Sequence, residues 1–157
     1  MIELFSRNPE FIVLSDDAIL TPLPIDGEVS SLSAILLNEA YYELLMDGQT
    51  VIDGIPVLKS TCLIPFKAKA WLDLNERKAL GEHVDSKNIR KHKNDVFRLA
   101  QLLMADTRQS LSPEIAEDMK RFLTAMESED VDLRSIGVRG ADKKTIVSMM
   151  YRCYGLI

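Results

Sequence analysis

The sequence predicts an α+β fold: a small sheet from the N-terminal third, followed by a helical C-terminal part. Three observations lead there. Short apolar runs before residue 60 are broken by Asn8-Pro9, Ser15-Asp16-Asp17 and Asp53-Gly54, as strands are. From Leu63 onward the apolar positions recur at helical spacing, clearest in Val96, Leu99, Ala100 and Leu103. Strands followed by helices, rather than alternating with them, imply segregated layers. We expect one domain over 1–157, with 1–62 mainly strands plus one helix at about 31–47, and 63–157 helical.

Ile2–Phe5, Phe11–Leu14 and Ala18–Leu23 are the first strand candidates, the third confined to an edge or ended by Pro22 and Pro24. Ser30-Ser31 can cap a helix whose apolar face is Leu32, Ile35, Leu36, Ala40 and Leu44, with Gly48 placed to end it in a left-handed conformation. Thr50–Leu58 reads as a hairpin around Asp53-Gly54, because that pair tolerates the positive φ angles of a type I′ turn; the alternative is a strand, a turn and an extended lead into the next helix. Pro56 marks its second arm as an edge. Pro65 suits the first turn of a helix running towards Leu80, with Gly81 as its stop. Ser86 can cap a second helix that is basic at first (Lys87, Arg90, Lys91, His92, Lys93) and apolar from Val96. Ser112-Pro113-Glu114 is a helix start reaching to about Met126, and Asp142–Tyr154 a final helix ended by Gly155.

The composition is that of an ordinary globular protein, with 46% hydrophobic and 27% charged residues, and a net charge of −5 that excludes a strongly basic nucleic-acid binder. Two cysteines, Cys62 and Cys153, make neither a disulfide framework nor a spaced zinc site. The start, MIELFSRNPE, has no signal-peptide pattern, and no apolar run approaches the roughly 20 residues of a membrane span. A cytoplasmic protein is expected.

The candidate chemistry lies between Leu63 and Leu103. Lys67 sits beside the apolar stripe of its helix, where its stem can snorkel or its ammonium can serve a site. Asp95 lies at the edge of the next helix's buried stripe, four residues from Lys91, with Lys67 across the pair as an alternative partner. His92 stands alone amid cations. Lys69, Lys87 and Arg90 read as surface charge.

The order Val51-Ile-Asp-Gly-Ile-Pro-Val-Leu58, Leu63-Ile-Pro-Phe-Lys67-Ala-Lys-Ala70 and Lys93-Asn-Asp95-Val-Phe-Arg-Leu99 resembles nucleotidyltransferase-like proteins of the AbiEii/AbiGii toxin type, over roughly Ile2 to Leu103. The resemblance implies binding of a nucleoside triphosphate with Mg²⁺ and transfer of a nucleotide to an acceptor such as RNA, within a toxin–antitoxin pair. It associates Lys67 and Asp95 with the active-site cleft and leaves Glu3 as a possible remnant carboxylate; the nucleotide contacts expected on this reading are Lys67, Lys93 and Asp95, with Glu3 and His92 as weak candidates. The sequence departs from the family in lacking the upstream Gly-Ser or Gly-Gly and the paired strand aspartates that hold the metals. Asp130-Val-Asp132 is the one Asp-x-Asp, and it lies in an acidic solvated run. No metal ligand is therefore assigned. Two functions are expected: a nucleotidyltransferase-like protein, catalytically incomplete unless its carboxylates come from a missing segment or a partner, or a non-enzymatic module that binds RNA or a partner protein such as an antitoxin. A strand directly after Met1 leaves an edge that a homodimer or a further segment would cover.

Overall fold

The computed structural model describes residues 3–7 and 33–156. The strands expected over Phe11–Leu14 and Ala18–Leu23 lie outside the described residues. The chain is α+β and falls into two compact units, Met1–Met46 and Asp47–Ile157.

In the first unit β1 (Glu3–Arg7) pairs in parallel with β2 (Ser33–Leu37), Glu3 opposite Ser33 and Arg7 opposite Leu37. The expected helix at about 31–47 is corrected here, because its first half is β2 and only α1 (Glu39–Asp47) is helical. A short run such as Ile35-Leu36-Leu37 satisfies strand and helix patterns alike, and the cap falls later. The Asn38 side chain accepts from the Tyr41 N–H at 3.0 Å and starts α1 there.

The second unit opens with the expected hairpin. Strands β3 (Gln49–Ile52) and β4 (Ile55–Leu58) pair antiparallel around Asp53 and Gly54, whose φ angles of 51° and 78° are those of a type I′ turn. Val51 stands opposite Pro56, Ile52 opposite Ile55, and all four are exposed. Gly48 does not take the left-handed conformation expected of it. It is small for another reason: a Cβ there would come within 2.7 Å of the Cys62 and Leu58 side chains, where the hairpin base meets the next helix.

Four helices follow: α2 (Ser60–Ala79), α3 (Ser86–Ala100), α4 (Pro113–Ser128) and α5 (Lys143–Cys153). Helix α2 begins five residues before the proline that was expected to open it. It buries Cys62, Ile64, Pro65, Ala68, Trp71 and Leu72. Helix α4 answers with Ile115, Met119, Phe122, Leu123 and Met126 at repeated i, i+3 and i+4 spacing, and Trp71 meets Phe122 edge to face at 5.4 Å. Val96, Phe97 and Ala100 of α3 and Ile146, Val147, Met150 and Cys153 of α5 complete the core. Side-chain caps start three of these helices: Asp85 accepts from the Lys87 N–H, Ser112 from Ile115, and Asp142 from Thr145.

Pro65 stands inside α2, so it cannot donate to the carbonyl four residues earlier, that of Thr61. The buried Tyr154 hydroxyl donates to that carbonyl instead, at 2.9 Å. Burial, with Cys153 and Cys62 nearby, pushes the Tyr154 phenol well above its ordinary range. Gln109 closes the same corner: its side-chain oxygen accepts from the Thr61 hydroxyl at 3.0 Å, and its N–H donates to the Cys153 carbonyl at 2.9 Å.

Tyr154→Phe therefore leaves the Thr61 carbonyl without a donor and is expected to lower the unfolding free energy by about 1–3 kcal/mol in urea titrations. In a Pro65→Ala background, where residue 65 regains its N–H, the same change costs less, and the difference between the two costs is the coupling. The native state holds the phenol proton more tightly than the unfolded chain does. The tyrosine's contribution is thus fully present below pH 10 or so and falls by up to about 1.4 kcal/mol per pH unit above it, a loss that Tyr154→Phe does not share.

Candidate functional site

Helix α2 and helix α3 fold back on each other through the link 80–85, and Lys78 Nζ donates to the Ser86 hydroxyl at 3.1 Å across the turn. At about 100° per residue, Trp71, Asn75 and Lys78 share one stripe of α2, and Ser86, Ile89, Arg90 and Lys93 share one stripe of α3. These seven residues, with Glu129 just past α4, line a groove of about 210 Å³. Three cations face one carboxylate, a formal surplus of two positive charges on a chain whose net charge is −5.

The three cations are not equivalent. Lys93 is only 12% exposed and is held by Glu129 Oε2 at 2.6 Å and by the Asp130 carbonyl at 2.8 Å. Lys143 adds bonds to the carbonyls of Glu127 and Glu129 at 3.0 and 2.7 Å. The two ammonium groups thus close the C-terminal end of α4, where unpaired carbonyls and the helix dipole favour positive charge. Lys78 faces a neutral hydroxyl. Arg90 is exposed and makes no ion pair or hydrogen bond among the described residues. The wall behind it is Trp71, 6% exposed, whose indole N–H is buried with no acceptor among the described residues. A buried donor without a partner is costly.

Of Lys67, Lys93 and Asp95, only Lys93 lines the groove. Asp95 pairs with Arg98 on its own helix at 3.0 Å, not with Lys91 or Lys67. Lys67 is half-buried one turn before Trp71, on the same stripe but outside the groove lining. Glu3 opens β1 in the other unit, and His92 is half-buried on α3. Arg90, read from sequence as surface charge, is with Lys78 one of the groove's two exposed cations; the periodicity that aligns it with Ser86 and Lys93 was the available signal.

Lys69, also read as surface charge, belongs to a brace between α2 and α4. It meets Asp73 at 3.0 Å and the buried Asp118 at 3.7 Å, while Arg121 meets Asp118 at 3.6 Å and pairs with Glu76. Burial works to lower the Lys69 pKa, but Asp73, Asp118 and Glu76 outweigh it and hold the ammonium above its ordinary range. The Arg121 hydrogen bond keeps the Glu76 carboxyl below its ordinary range. Every charge in this brace is answered, which suits a helix contact. Among the described residues no group of three His, Cys, Asp or Glu side chains is placed to hold a metal ion, and no helix is long and apolar enough to cross a membrane.

Because Lys93 caps α4, Lys93→Met is expected to lower the unfolding free energy by about 1–3 kcal/mol, whereas Lys67→Met stays within about 0.5 kcal/mol of wild type. Urea unfolding followed by circular dichroism checks both. No family model, no curated protein and no solved structure matches this chain.

Proposed function

We propose that the protein is a binding module that takes the phosphate end of a nucleotide into the groove between α2 and α3. The observation that carries this reading is Arg90, a guanidinium without a partner among the described residues, set next to Lys78 and the Ser86 hydroxyl in front of an aromatic wall. Guanidinium groups donate to two phosphate oxygens at once through their fork of N–H groups, and lysine and hydroxyl donors can serve the remainder. Trp71 supplies apolar surface beside them.

The groove's volume of about 210 Å³ is smaller than the roughly 300–1,000 Å³ of sites that enclose whole organic ligands. On this reading a nucleotide enters by its phosphates and leaves its base and sugar outside. The fuller expectation, nucleotide transfer to RNA with Mg²⁺, adds metal-holding carboxylates to this scheme, and our proposal is confined to binding.

Trp71 is the single tryptophan of the chain, so its emission reports on the groove itself. Titration with each nucleoside triphosphate and Mg²⁺ is expected to change that emission saturably. Arg90→Ala should weaken binding by about tenfold or more, the scale of one charged hydrogen-bonding contact, while Lys67→Ala and Asp95→Ala leave it within about twofold. If Lys67→Ala and Asp95→Ala abolish binding and Arg90→Ala does not, the site expected from the family resemblance is the true one. No change of emission or heat up to millimolar nucleotide removes the binding reading.

A further inference from the structure

We infer that the groove selects a terminal phosphate, the dianion of a phosphomonoester, and that Glu129 sets this selection by competing for Lys93. The inference rests on the binding reading above and concerns which anion the same groove prefers.

The cations fall into two ends. At the open end, among the described residues, Arg90 has no ion-pair or hydrogen-bond partner and Lys78 donates only to the Ser86 hydroxyl, 3.1 Å away. At the inner end Lys93 is already neutralised by the Glu129 carboxylate at 2.6 Å. Asp85 also stands near the open end, but it accepts from the Lys87 N–H at 2.8 Å and caps α3. An incoming anion therefore finds donors at one end and a fixed negative charge at the other.

A singly charged ligand can answer Arg90 but leaves the groove with a positive surplus and still faces Glu129. A dianion matches the surplus of two, and its three free oxygens can engage Arg90, Lys78 and the Ser86 hydroxyl together. It is also the stronger competitor for Lys93. That exchange is mechanically open. The Glu129 side chain is 41% exposed and can turn to water, while its backbone carbonyl is fixed by Lys143 at 2.7 Å. The ammonium of Lys93 keeps its bond to the Asp130 carbonyl at 2.8 Å and so stays in place for the phosphate. Glu129 acts as an internal anion whose departure accompanies ligand entry. No covalent step is involved.

The test uses the full chain, Trp71 emission, and two probes: methyl phosphate, a dianion well above its second pKa of about 6, and dimethyl phosphate, a monoanion. Wild type is expected to bind methyl phosphate about tenfold tighter than dimethyl phosphate. Glu129→Gln keeps an acceptor for Lys93 but removes the competing charge, and it should tighten methyl phosphate binding by about tenfold. Equal affinity for the two probes, or unchanged affinity in Glu129→Gln with native circular dichroism, overturns the inference and leaves the binding reading standing. Absence of any response, to either probe and to every nucleotide, overturns both.

Discussion

The second unit depends on how α2 copes with a proline in its second turn. Pro65 withholds the N–H that the Thr61 carbonyl would receive in an uninterrupted helix, and Tyr154, at the end of the last helix, supplies a hydroxyl in its place. A local defect thereby becomes a long-range tie between the first turn of α2 and the end of α5. Gln109 thickens the tie by joining Thr61 and the Cys153 backbone. With α2 fixed at this end, its later turns present Trp71 to Phe122 on one side and to the α3 groove on the other. The geometry of the candidate site is thus set at one end by a hydrogen bond that no pattern of apolar residues would suggest.

Much of the helical part was legible in the sequence because its signals are local. Ser112-Pro113-Glu114 starts α4 where it was expected, Asp53-Gly54 makes the turn it should, and the stripe from Val96 faces the core. The errors came where a local pattern had two solutions. Ile35-Leu36-Leu37 fits a strand or a helix, and partners distant in sequence decide between them. Pro65 is tolerated at a helix start, but a tyrosine ninety residues later makes it tolerable farther in.

The site was harder to read for a related reason. Charge type and helical spacing place Lys93, Asp95 and Arg90 on one helix, but they do not say which charge is already spent on a neighbour. Lys93 is committed to the end of α4 by residues more than thirty positions away, and Asp95 is answered within its own helix by Arg98. Arg90 looked like the least interesting of the three and is the one left without a partner among the described residues. Lys69 shows the converse, an apparent surface charge drawn into contact with the buried Asp118.

The hairpin register has a consequence for how the chain behaves in company. Ile52 and Ile55 flank a two-residue turn and exchange backbone bonds, so Val51 and Pro56 fall at the next, non-bonded position, where backbone N–H groups point away from the partner strand. The bond from the Lys59 N–H to the Gly48 carbonyl at 3.0 Å keeps the same alternation. The proline ring therefore removes a donor that the hairpin itself never uses. What it removes is the donor that a foreign strand would need in order to add to β4. An uncovered, isoleucine-rich ribbon is a natural template for fibrous stacking, and a single imino acid blunts the template on that side at no cost to the hairpin ladder.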